Sequence, residues 1–88
     1  MFARRQDGRT PLEQALDAAS GLKPGSWASV EALSMLAIEA HGRPEAESLY
    51  ASAVNAATDL KPGSWESVRA LAWLARADRE RPNRVSPL

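Results

Sequence analysis

The pentapeptide Lys-Pro-Gly-Ser-Trp occurs twice in this chain, at residues 23–27 and 61–65, and the flanking sequence repeats with it. Aligning residues 12–44 with residues 50–82, an offset of 38, makes 17 of 33 positions identical. Ahead of the pentapeptide the matches are Ala15/Ala53, Ala18/Ala56, Ala19/Ala57 and Leu22/Leu60. Behind it they include Ser29/Ser67, Val30/Val68, Ala32/Ala70, Leu33/Leu71, Leu36/Leu74 and Ala37/Ala75, and Arg43-Pro44 recurs as Arg81-Pro82. A duplicated unit constrains the fold more than composition can, because each repeat is one supersecondary element that needs its neighbour to bury its apolar face.

Each unit has the pattern of two helices. Thr10 is placed to cap the first, with Pro11 at the first helical position and Glu13 completing a capping box. Leu12, Ala15, Leu16, Ala19 and Leu22 then recur at helical spacing. Pro24 pushes Lys23 out of the α region and ends that helix near Leu22. Gly25 is expected to supply unusual turn angles, and Ser26 to cap the next helix. The second helix is predicted over about 27 to 41, with Gly42 as its stop; it is apolar nearly all round, as a central helix should be. Pro44 begins a third helix with the stripe Leu49, Tyr50, Ala53, Val54, Ala57 and Leu60. A fourth runs from about 65 to 79, where Val68, Leu71, Ala72 and Ala75 cluster on one side and Trp73 points well away. The expected fold is all-α: four helices as two tandem helix–turn–helix units, in an up-down bundle or as stacked hairpins. A duplicated helical domain is expected over residues 10–81, with tails at 1–9 and 82–88.

Composition narrows the function classes. Eleven basic residues balance eleven acidic ones, so no strong global field steers the chain to nucleic acid or membrane. There are no cysteines, which excludes disulfides and thiolate metal sites. No apolar run has the length of a membrane span and the first residues lack a secretory pattern, so a soluble, cytoplasmic protein without membrane contact is expected.

Three groups of residues are candidates for chemistry or contact. The turns Lys23-Pro24-Gly25-Ser26-Trp27 and Lys61-Pro62-Gly63-Ser64-Trp65 have amides at helix N-termini beside a lysine, as an anion site would. The same residues serve equally as helix punctuation, with the tryptophan folding back over Leu22 or Leu60. His41 is the only histidine, and its spacing from Glu39 and Glu45 matches no metal-binding pattern, so neither a metal nor a cofactor is expected. Every carboxylate falls on an expected solvent face, and no acid pair or activated nucleophile can be assigned.

Trp73 is flanked at helical spacing by Arg69 and Arg76, which can stack on its indole and form a partner-binding face; a wide core stripe is the competing reading. Charge is also uneven. Residues 11–60 carry seven acids and two bases, whereas residues 61–88 carry six bases and three acids. Arg79, Arg81 and Arg84, with Arg69 and Arg76, could therefore touch nucleic acid, or the acidic middle of a second copy, or simply solvent.

Ser-Trp-x-x-Val-x-x-Leu at a helix start, preceded by a Lys-Pro-Gly turn and an Ala-rich helix, resembles the FIVAR module, a three-helix bundle repeated in bacterial surface proteins. The likeness covers about residues 12–60. Ala46-x-x-x-Tyr50-x-x-Ala53 is similar to the second helix of tetratricopeptide-like repeats, and Asp59-Leu60-Lys61-Pro62 with Ser64-Trp65 looks like their inter-repeat turn. Either resemblance implies a scaffold that binds proteins. The expected function is a small non-enzymatic protein–protein interaction module, self-association included, whose partner is another protein or a second copy. The alternative is a nucleic-acid-binding regulator using the basic C-terminal helix and tail.

Overall fold

The computed structural model describes residues 8–81, which form α1 (Pro11–Ser20), α2 (Trp27–Glu39), α3 (Glu45–Thr58) and α4 (Trp65–Glu80). No strand occurs among the described residues, so the fold is all-α. Arg84 and the tail segments 1–7 and 82–88 lie outside the described residues.

Local chemistry sets the helix starts. Thr10 Oγ1 accepts from the Glu13 amide at 3.1 Å and Glu13 returns a carboxylate oxygen to the Thr10 amide at 3.0 Å. These two bonds satisfy donors that a helix N-terminus otherwise leaves orphaned. α2 and α4 use a serine in the place of that glutamate. Ser26 and Ser64 cap the Ser29 and Ser67 amides, and the hydroxyls of Ser29 and Ser67 reach back to the cap residues. Gly42, at φ +88, takes the left-handed backbone that stops the chain after α2, a conformation that side-chain-bearing residues rarely adopt. Gly25 has no positive φ, contrary to the expectation for its turn; Pro24 and the Ser26 cap suffice there.

The core is built almost entirely from small side chains. Val30, Ala37, Ala40, Ala53, Ala56, Ala70 and Ala77 are buried, together with Ser34 and Ser67. Alanine and serine at these contacts allow close helix approach, at the cost of little apolar area per residue. Ser34 satisfies its buried hydroxyl by donating to the Val30 carbonyl at 2.8 Å.

α2 is the central helix: it touches each of the other three and packs most extensively on α3 and α4. By contrast α1 contacts α2 over a short stretch, and neither α3 nor α4, among the described residues. α3 and α4 also share only a short contact. The four helices therefore do not close around one common core, and the helix–turn–helix unit of the sequence is not the unit of packing. Each unit's helices hold less to each other than the second unit holds to α2.

The expectation for the inward side of α4 needs correction. α4 turns Ser67, Ala70 and Ala77 inward, with Trp73 and Leu74 half-buried, while Val68, Leu71, Ala72 and Ala75 are exposed. Ser67, Ala70 and Ala77 are small enough to let α4 lie close on α2, and Leu74 packs beside them against the core. Trp27, like Leu60, packs against the core, and its Nε1 donates to the Lys61 carbonyl of the second unit at 3.3 Å. Trp65, its counterpart, is 85% exposed.

Candidate protein-interaction surface

The repeated turns are already occupied. Ser29 Oγ accepts from the Gly25 and Ser26 amides, both at 3.1 Å, and donates to the Ser26 carbonyl at 2.7 Å. Ser67 Oγ does the same for Gly63, Ser64 and the Ser64 carbonyl. The Gly25, Ser26 and Ser29 amides, and those of Gly63, Ser64 and Ser67, are bonded within the protein, as helix punctuation requires. Lys23, Pro24, Lys61 and Pro62 line these turns at the exposed surface. His41 lies exposed in the turn after α2. Among the described residues no group of three or more His, Cys, Asp or Glu converges as a metal site would.

A polar cluster that the sequence pattern did not reveal ties the start of α3 to the end of α4. Arg81 grips Glu47 in a bidentate pair, Nε to Oε2 at 3.2 Å and Nη2 to Oε1 at 3.1 Å. Its Nη1 also donates to Asp78 Oδ1 at 3.3 Å, and its guanidinium lies 4.3 Å from the Tyr50 ring centroid. Tyr50 donates its hydroxyl to the same Asp78 oxygen at 3.1 Å. Burial, and then this bond to a carboxylate, push the Tyr50 phenol above its ordinary 10.0. The carboxylates Asp78 and Glu47 thus sit half-buried in a structural network rather than on a free solvent face. The signal available in the sequence was the pairing of Glu47 with Tyr50 and of Asp78 with Arg81 at i, i+3 spacing.

Two arginines of α4 are engaged as well. Arg69 pairs with Glu31 of α2 at 3.0 Å, so it turns toward the inter-unit joint rather than over Trp73. Arg76 does lie over the Trp73 ring, 5.9 Å from its centroid, and pairs with Glu80 at 3.8 Å. Arg69, Ala72, Trp73, Arg76 and Arg79 together line a shallow surface depression of about 230 Å³. The structure thus brings Trp73, Arg69 and Arg76 together. Of the basic patch, Arg79 joins them and Arg81 is committed to Glu47 and Asp78.

Helical geometry extends this depression into a larger surface. At 100° per residue, Trp65, Val68, Arg69, Ala72, Ala75 and Arg76 share the side of α4 opposite Ala70, Leu74 and Ala77. Trp65 is 85% and Val68 54% exposed. Tryptophan and arginine are residue types enriched at protein contacts. A second apolar recess of about 420 Å³ lies between α1, α2 and α3, lined among others by Leu16, Ala19, Leu33, Leu36 and Leu49. No helix among the described residues is long and apolar enough to cross a membrane. No protein-family model matches the chain, and neither does any curated protein sequence or solved structure.

Proposed function

We propose that this chain is a small non-enzymatic helical protein–protein interaction module that docks through the outward face of α4. The observation that supports the reading is the contrast between Trp65 with Val68, both exposed, and their repeat mates: Trp27 is half-buried and Val30 fully buried. The same side chains that hold the inside of the molecule together are presented to solvent on α4. Trp73, Arg69 and Arg76 border that face and supply the aromatic and guanidinium groups enriched at contact hot spots. The arginines' pairing with Glu31 and Glu80 leaves less positive charge for phosphate contacts.

A photo-crosslinking amino acid at Ala72, in the middle of the face, tests this in cells expressing the full chain. A covalent protein adduct is expected at Ala72 and absent with the same group at Asn55, which is exposed on α3. Equal labelling at both positions, or none at Ala72, would overturn the reading.

A further inference from the structure

Equivalent positions of the two units lie in opposite surroundings. On one flank, Val30, Ser34 and Ala37 of α2 are buried, while their mates Val68, Ala72 and Ala75 of α4 are exposed. On the other flank the order reverses. Ala56 and Ala70 are buried in the second unit, while their mates Ala18 and Ala32 are exposed in the first. Leu60 is half-buried and its mate Leu22 is 72% exposed. One side of the first unit is thus covered by the opposite side of the second, through a step that is taken once among the described residues. Such a step leaves a receiving face on α4 and an entering face on the first unit. Finished repeat arrays close their ends with polar capping faces, whereas here Trp65 and Val68 on one face and Leu22, Ala18 and Ala32 on the other stay exposed.

We infer that the occupant of the open α4 face is a second copy of this chain, added head to tail. This rests on the reading of the chain as an interaction module and names its partner. The incoming α1 takes the place on α4 that α3 has on α2, and the incoming α2 takes the place that α4 has on α2. The internal joint predicts the contacts of the external one. Trp27 Nε1 donates to the Lys61 carbonyl inside the chain, so one step on Trp65 donates to the carbonyl of Lys23 in the second copy. Arg69 and Glu31 occupy the same position in their units and pair at 3.0 Å, so the incoming Glu31 arrives beside Arg69. At the position of the buried Ala77 the incoming copy carries Glu39, and at the position of Ile38 the receiving α4 carries Arg76. The external joint thus keeps apolar side chains such as Val68 and adds opposite charges at Glu31 with Arg69 and at Glu39 with Arg76. This joint also covers α1, which among the described residues is held by a short contact with α2 and an ion pair between Glu13 and Arg43.

Sedimentation velocity over a wide concentration range, with two variants, tests the inference. Wild type is expected to grow with concentration. Val68→Glu blocks the receiving face and Ala18→Glu the entering face; both sites are exposed, and circular dichroism confirms that the fold is kept. Each variant alone is expected to stay monomeric. Their mixture is expected to form a one-to-one dimer, because each retains the face that the other lacks. A wild type that remains monomeric throughout overturns the inference, as does a dimer that stops at two copies with no rescue on mixing. The crosslink at Ala72 separates the two failures. An adduct with a different protein, alongside a monomeric wild type, keeps the interaction module and overturns the head-to-tail copy; monomer with no adduct overturns both.

Discussion

Tyr50 anchors α3 to the last turn of α4 through a single hydroxyl, and its chemistry makes that anchor sensitive to alkali. Tyr50→Phe removes the bond to Asp78 while keeping the ring under Arg81. The bond is only part-buried, so the loss is expected to be about 0.5–1 kcal/mol, read as a fall of a few degrees in melting temperature. The phenol's pKa is raised on folding, first by burial and then by Asp78, so the native state holds the proton more tightly than the unfolded chain. Its contribution is then full below the unfolded value of 10.0 and is lost as pH rises through the higher native value. Denaturant midpoints of wild type and Tyr50→Phe should therefore converge above pH 10.0. A gap that is unchanged there would show that the phenol does not titrate in this way. At this scale the sequence was legible where the chemistry is local: Thr10, Ser26, Ser64 and Gly42 act as their residue types suggest. The Tyr50 network was not legible, because its partners meet only once α3 and α4 are positioned by α2.

Among the elements, α1 is the least supported. It has ten residues, and isolated helices shorter than about 12–15 residues are marginal in water. Its Thr10–Glu13 cap helps, but none of its residues is fully buried and, among the described helices, it packs on α2 alone. Amide hydrogen exchange is expected to show α1 opening locally, well before α2, α3 and the core of α4. Protection of α1 equal to that of α2 would contradict this. The helices themselves were readable from spacing and caps. The inward side of α4 was not, because the helical wheel groups Val68, Leu71, Ala72 and Ala75 on one side without telling which side a neighbour covers. Equal residues imply equal burial only where the neighbouring helices are also equal, and α2 and α4 differ in theirs.

For the whole molecule this asymmetry has a direct energetic test, since one substitution can be made twice in the same chemistry. Val30→Ala opens space beside Ser34 and Ala56 in the core and is expected to cost about 2 kcal/mol. Val68→Ala, on the exposed side of α4, is expected to stay within about 0.5 kcal/mol for the monomer. Chemical denaturation of dilute protein reads both, and similar losses would mean that α4 is covered on both sides. α2 sits at the centre of this arrangement, its Trp27, Val30 and Ala37 side covered by the second unit. During synthesis that side stays uncovered until α3 and α4 have followed it out, so the first unit cannot settle into its native core ahead of the second.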